Sequence, residues 1–389
     1  MKNQQTNIDY TLILIIILLF TASIFALHTI DPYLPAKYDN QNFLLKQTQW
    51  YIIGGILIFL IMLIDYDRLR QVAWVLYGVG ITTLLMLFFR FPASIVHEAN
   101  NAVSWFMLPG IGSVQPGELF KIAHVLIIAH LIFGHNMKYV NRTNKTDLWL
   151  FTKIMLVALP PMALIAVQPD LGGALVLASI TGAMLLVSGI RWRVILTIFA
   201  AAFLVAGLAI AVWFYVPGPL SEFLEETVFN HIQSRFYGWI YPEQYPDSGY
   251  QLVLAMLAIG SGKLFGKGVS TMEVYVPEKH TDMIFTAIAE QFGFIGASVV
   301  LILFFLLIYR MIHIAIMSNE QFGSFLVTGF IGMFVYQIFQ NIGMSIQLLP
   351  ITGLPLPFLS YGGSSTLTYL IAIGIVLNVH SRTKTYMFE

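Results

Sequence analysis

Residues 11–28 read TLILIIILLFTASIFALH, eighteen positions whose only ionisable side chain is His28. An uncharged run of this length is a membrane-span candidate, since crossing the hydrocarbon core takes about 20 apolar residues. It exceeds the apolar core of a signal peptide and no small-x-small cleavage site follows, so it is expected to remain as a first helix. Further apolar runs follow at 50–64, 71–89, 118–134, 152–167, 172–189, 194–216, 283–309, 323–346 and 366–380. Together they predict an all-α integral membrane protein of about ten transmembrane helices. Residues 1–389 form a single polytopic domain in this reading, without internal repeat or separate soluble unit.

Composition agrees. Of 389 residues, 58% are hydrophobic and 10% charged, against roughly 45–50% and 25% for soluble domains. Soluble enzymes, nucleic-acid binders and disordered chains are thereby excluded. Twenty basic and twenty acidic residues cancel, so no net field points to a charged polymer as partner. The absence of cysteine rules out disulfides and thiolate metal sites.

Basic residues orient the bundle, because loops on the cytoplasmic side carry an excess of Lys and Arg. With the N-terminus inside, Lys2, Arg68, Arg70, Lys138, Arg142, Lys145, Lys153, Arg191, Arg193, Arg310, Arg382 and Lys384 face the cytoplasm, and only Lys37, Lys46 and Arg90 lie in short outer loops. Both termini are therefore expected inside. A large outer segment, 217–282, then joins spans seven and eight. Its start, with Pro217, Pro219, Glu222, Glu225 and Glu226, reads as surface chain. Residues 250–260 are too short to span, and Leu252, Met256 and Ile259 recur at helical spacing, so a half-buried interfacial helix is expected there. Glycines 260, 262, 266 and 268 then permit tight turns.

Four polar clusters interrupt the apolar pattern. Charges within spans are costly and face a cavity or a partner. In Gln115-Pro116-Gly117-Glu118-Leu119-Phe120-Lys121, the proline marks a helix start and Glu118 and Lys121 share a face. They read either as a structural ion pair or as a polar wall near the outer leaflet, with His124 a hydrogen-bonded packing residue on the same face. In Gln168-Pro169-Asp170-Leu171-Gly172-Gly173, Asp170 caps the next helix, a role compatible with also facing substrate. In Pro277-Glu278-Lys279-His280-Thr281-Asp282, the aspartate stands where the outer loop enters the eighth span. It is either a cap or a base whose pKa desolvation raises, an effect Lys279 and His280 would oppose. The last cluster, 353–365, reads GLPLPFLSYGGSS. Such backbone at membrane depth is tolerated only inside protein or beside a wet cavity, and its small residues could equally serve close helix packing. Phosphate-binding GxxxxGK[ST], zinc-binding HExxH and GxSxG serine-elbow patterns are absent.

In this order and spacing, the four segments resemble the SEDS family (shape, elongation, division and sporulation) of cell-wall proteins, most closely its elongation branch. The most specific stretch is Asn341 to Ser365, through Pro350, Gly353 and Ser360-Tyr361-Gly362-Gly363-Ser364-Ser365. There are departures. Gln347 stands where the family usually has glycine or threonine, Gly117 replaces a serine, Met283 replaces a frequent phenylalanine, and Val103-Ser104 replace a basic approach to Trp105.

The resemblance implies a peptidoglycan glycosyltransferase that polymerises lipid II on the outer face of the cytoplasmic membrane during elongation, by inverting transfer with Asp282 as base. It implies that Trp105, Glu118, Lys121, Asp170, Arg235, Lys279, His280, Ser360 and Ser364 contact substrate. Arg235, Lys279 and Lys121 are the candidates to meet the leaving pyrophosphate. Trp105 and the aromatics of Arg235-Phe236-Tyr237-Gly238-Trp239 read equally as interfacial anchors. A divalent cation, magnesium or manganese, is implied without a ligand set. The implied partner is a class B penicillin-binding protein, a transpeptidase that cross-links the strands. Two rival functions fit the same segments, a lipid II flippase and a non-catalytic scaffold. A transporter is expected to carry a repeat and broken midplane helices, whereas these motifs cluster near the outer loops.

Overall fold

The computed structural model describes residues 8–38, 41–99, 102–109, 112–215 and 230–383. The surface chain expected around Glu222, Glu225 and Glu226, and the charges Lys2 and Lys384, lie outside the described residues. Ten helices match the ten apolar runs: α1 Tyr10–Ile30, α2 Phe43–Leu63, α3 Tyr66–Phe88, α4 Pro116–Lys138, α5 Asn144–Val167, α6 Leu171–Val187, α7 Trp192–Tyr215, then α10 Ile284–Met317, α11 Gln321–Ser345 and α12 Gly363–Arg382. Two shorter helices, α8 Asn230–Ile240 and α9 Pro246–Ser261, precede α10. Eight of the ten are long and apolar enough to cross a membrane; α6, at 17 residues, is shorter. The path of α7 follows from its neighbours. The turn before it is tied to the start of α5 through Arg191 and Asp147, whereas α8 after it lies at the opposite end, bonded through Trp239 to Gln347.

The start of α1 and the end of α12 lie at one end of the bundle, where Asp9 pairs with Arg310 at 2.7 Å and Asp65 with Arg382 at 3.3 Å. Helices α4, α11 and α12 form the centre. Val125 to Ala129 of α4 are sealed from solvent, as are Phe330, Met333 and Phe334 of α11. Helices α2, α3, α5 and α10 leave large apolar side chains such as Ile56, Val75, Leu156 and Phe305 exposed, as a lipid-facing surface requires.

Three findings depart from the sequence expectation. The second span begins at Phe43, seven residues before residue 50, because Asn42 caps the helix by accepting the Leu45 N–H at 2.9 Å. Of the polar residues that hid this start, Gln47 points inward: it is sealed and donates to the Ser360 carbonyl at 3.2 Å. Next, the loop between α3 and α4 folds into a three-stranded antiparallel sheet, β1 Val96–Ala99, β2 Ala102–Leu108 and β3 Gly112–Val114. His97 stands opposite Trp105, and Phe106 opposite Val114. The eighth span, finally, is longer than residues 283–309 and is broken at Gly293, whose φ of 62° and ψ of −158° lie far from helical values. The interfacial helix expected over 250–260 is α9. Its sealed face is Leu252, Ala255 and Ala258, against α10 and α11, with Met256 and Ile259 at the margin.

Candidate active site

Residues 353–362, the second part of the connection from α11 to α12, have no regular structure, and their carbonyls are answered by side chains from three helices. Ser23 of α1 donates to Leu359, Tyr51 of α2 to Phe358 at 2.5 Å, and Asn341 of α11 to Leu354 at 2.8 Å. This satisfies a buried backbone that has no ladder of its own. The Ser360 hydroxyl is spent here too, accepting the Leu356 N–H at 2.8 Å in a sealed position. Ser360 therefore shapes the turn from inside and does not face the cavity.

Asp282 lies two residues before α10. Its carbonyl accepts a 2.6 Å hydrogen bond from the same Asn341 amide, so one side chain fixes Asp282 relative to the 353–362 segment. The Thr281 hydroxyl stands 3.2 Å from Asp282 Oδ1 and 3.3 Å from Glu278 Oε2. A Cβ built at Gly353, whose φ is +73°, would sit 3.7 Å from Asp282 Oδ2. Asp282 keeps partial solvent exposure, and its neighbour Thr281 lines an open cavity. Burial pushes its pKa up to about 7, with repulsion from Glu278 adding to the rise. Local hydrogen bonds and Arg235 oppose it. Lys279 and His280, expected to supply that opposition, do not. Lys279 turns away, and burial lowers the His280 pKa and keeps the ring uncharged.

Arg235 comes from α8 and donates to the Thr352 carbonyl at 3.4 Å. Burial lowers its pKa, while the carboxylates of Asp170 and Asp282 raise it. The guanidinium thus lies within electrostatic range of both acids and remains charged. Asp170 caps α6, accepting the Gly173 N–H at 2.7 Å, and its second oxygen accepts from the Gln115 amide at 3.2 Å. Asp170 is therefore the helix cap, and it reaches the cavity wall through Gln115. The Gln115 N–H is in turn donated to the Ser364 hydroxyl at 3.0 Å. Gln115, Ser364, Trp105 and Thr281 line one open cavity of about 650 Å³. Trp50, Gln49, Lys46 and Gln41, at or near the start of α2, complete its wall.

The remaining candidates lie elsewhere. Glu118 and Lys121 pair at 2.6 Å with side-chain exposures of 6% and 1%, so this lysine is sealed by its partner. His124 bonds Thr181 at 2.9 Å, as a packing residue. Lys279 is sealed, donates to the Val274 carbonyl, and stands 3.7 Å from Glu290. His280 is wedged among Tyr38, Phe43 and Tyr361, and its carbonyl accepts the Tyr361 N–H. It braces the wall behind Asp282.

Sequence reasoning missed Glu290 and the polar turn of α2. A glutamate within an apolar run was the available signal for the first; the second lies outside the hydropathic core of its span. Among the described residues, no three acidic or histidine side chains converge as a metal site, so the donor set offers no protein-built cage for a divalent cation.

The FtsW/RodA/SpoVE family model, described as cell cycle protein, matches residues 9–385. The chain belongs to that family. A probable peptidoglycan glycosyltransferase FtsW from Trichlorobacter lovleyi is 32% identical over 382 residues, covering 97% of this chain and 94% of that protein. Peptidoglycan glycosyltransferase MrdB of Escherichia coli K12 is 34% identical over 292 residues, 74% of this chain and 73% of the relative. A solved structure of a peptidoglycan synthase complex, described as coordinating polymerization and crosslinking, contains a chain that superposes with a TM-score of 0.75 at 27% identity. That match covers 96% of this chain and 97% of the other. As a SEDS protein with this succession of apolar helices, the chain is a multi-pass bacterial membrane protein.

Proposed function

We propose that this protein is a peptidoglycan glycosyltransferase that polymerises lipid II, with Asp282 as general base. The observation that carries the reading is a carboxylate with pKa raised to about 7, within electrostatic range of the half-buried Arg235 and next in sequence to Thr281, which lines a cavity of about 650 Å³. The acceptor is the 4-hydroxyl of an N-acetylglucosamine, a poor nucleophile until a base takes its proton. The donor is an α-linked muramyl pyrophosphate. As the acceptor oxygen bonds to the donor anomeric carbon, the bond from that carbon to the phosphate oxygen breaks. Its electron pair leaves with the pyrophosphate, and the acceptor proton passes to Asp282. A single displacement inverts α to β and requires no second carboxylate to activate water.

Arg235 is positioned to meet the charge that develops on the leaving group, the kind of contact a low-dielectric site makes strong. Lys279 and Lys121, both committed to buried carboxylates, are not assigned this role. Trp105 and Trp50 present aromatic faces to a sugar, and Gln41, Gln49, Gln115 and Ser364 present polar groups. A magnesium or manganese ion would arrive with the phosphates, since magnesium is commonly held by one or two carboxylates plus substrate phosphate; no step is assigned to it.

The proposed orientation puts the site outside and both termini in the cytoplasm. Arg68, Arg70, Lys138, Arg142, Arg191, Arg310 and Arg382 stand at or near the end opposite Asp282, as the distribution of basic residues requires. The partner proposed is a class B penicillin-binding protein, supported by the likeness to a chain of a synthase complex. A role in elongation rests on the sequence likeness; depletion should then round the cells, and filamentation would instead indicate division. The enzymatic reading is tested by reconstituting the chain, with and without its transpeptidase, on lipid II. Wild type should make glycan polymer, and Asp282→Ala and Asp282→Asn should not while remaining folded. Polymer from Asp282→Ala at the wild-type rate would refute the base assignment, and transbilayer lipid movement without polymer would favour a flippase.

A further inference from the structure

At Gly293 the α10 hydrogen-bond ladder stops, and the chain that follows α9 is laid into the gap. The N–H groups of Phe294 and Ile295 donate to the carbonyls of Lys263 and Leu264, at 2.9 and 3.2 Å. The N–H groups of Lys267 and Gly268 donate to the carbonyls of Glu290 and Gln291, at 3.0 and 3.1 Å. The fit is backbone on backbone: a Cβ at Gly266 would overlap the Gln291 carbonyl. Residues 262–279 thus form a strap anchored to the first turns of α10, and its free end runs directly into Asp282.

One side chain holds that strap along its length. Glu290, sealed in α10, accepts at Oε1 from the backbone N–H groups of Glu273 and Val274, at 2.8 and 3.0 Å, and from the Lys267 ammonium at 3.0 Å. Its Oε2 has no hydrogen-bond partner and lies 3.7 Å from the Lys279 ammonium. The same carboxylate therefore touches the start, the middle and the end of the strap. It also holds the ammonium that would otherwise be available, three residues away, to Asp282. The groups that do face Asp282 are Thr281 and Glu278 from its own segment, Arg235 from α8, and the Asn341 amide from α11 through the Asp282 carbonyl.

We propose that Glu290 is a positioning residue for the transferase reaction: it fixes the strap that delivers Asp282 and keeps the Lys279 ammonium away from that carboxylate. This rests on the reading of Asp282 as base. A purely structural ion pair would cost folded protein when broken but leave each folded molecule's chemistry unchanged. A positioning residue changes turnover, because small misplacements of a catalytic group cost as much as about a hundredfold.

The full chain, reconstituted with lipid II and scored per folded molecule, separates these roles. Glu290→Gln should lower kcat by about ten- to a hundredfold with KM within about twofold of wild type. Its acid limb should move to lower pH, because a released ammonium favours ionised Asp282. Adding Lys279→Met to Glu290→Gln should return the limb to the wild-type position without restoring kcat. If Glu290→Gln does not fold, Glu290→Asp, one methylene shorter, should show the kcat loss with the limb unmoved. Wild-type kcat and an unmoved limb in Glu290→Gln, or wild-type kcat in Glu290→Asp, would overturn the inference. Asp282→Asn run in parallel keeps the two levels distinct: polymer from that variant at the wild-type rate overturns the base assignment itself.

Discussion

Polymerisation is expected to climb about tenfold between pH 6 and pH 8, a consequence of the pKa that burial and Glu278 impose on Asp282. A base must be ionised to act, and with a pKa of about 7 roughly one site in eleven is ionised at pH 6 and roughly ten in eleven at pH 8. An aspartate at its ordinary 3.8 would be almost wholly ionised at both, so the profile would be flat. The sharper perturbation is Arg235→Gln. Removing a positive charge that lowers the Asp282 pKa moves the limb to higher pH. At the new plateau, the loss of a group facing the leaving pyrophosphate should still cost about 10²–10³ in rate. The assay is initial polymer formation from fluorescent lipid II in proteoliposomes, at subsaturating substrate and constant ionic strength. Under those conditions kcat/KM reports the free enzyme's ionisations. A wild-type profile flat from pH 6 to pH 8, or a limb that moves down on Arg235→Gln, would refute the reasoning.

Three further outcomes follow from single contacts. Gly353→Ala introduces a methyl 3.7 Å from Asp282 Oδ2 at a φ of +73°; the added desolvation should shift the acid limb to higher pH, and the strained backbone should cost about 1–2 kcal/mol in unfolding measured in detergent. Gln347 has a φ of +63° and donates from its side chain to the Trp239 carbonyl at 3.2 Å. Gln347→Gly should therefore remain within about 1 kcal/mol of wild type, strain relief offsetting a lost hydrogen bond, whereas Gln347→Ala should lose about 1 kcal/mol. Equal losses in the two would exclude that balance. Glu118→Gln leaves the Lys121 ammonium buried without its partner and should destabilise by about 3–5 kcal/mol, while Glu118→Leu with Lys121→Met should recover most of that loss in the same unfolding assay.

The departures from the sequence reading share one cause. Hydropathy locates what faces lipid, so it found ten apolar helices and missed the first two turns of α2, where Gln47 turns into protein and Lys46 and Gln49 line the cavity. Glycine-rich outer chain was legible as turns, but that it would lie in a break of α10 at Gly293 was not. Gln347, conspicuous as a departure from the family pattern, is accounted for by its positive φ and its bond to Trp239.

By itself, the sequence determined the membrane class, the places of the ten apolar helices, the expected orientation and the position of Asp282 just ahead of the eighth apolar run. Each of these depends on local quantities: runs of apolar residues, basic residues in short loops, and an acid where loop meets helix. Only the tertiary structure decided which charge answers which. Lys279, three residues from Asp282, is taken by Glu290, while Arg235, forty-seven positions away in sequence, lies within electrostatic range of Asp282 and Asp170 together. A charge in a low-dielectric interior seeks a partner in space, and that choice belongs to the packing of helices distant in sequence.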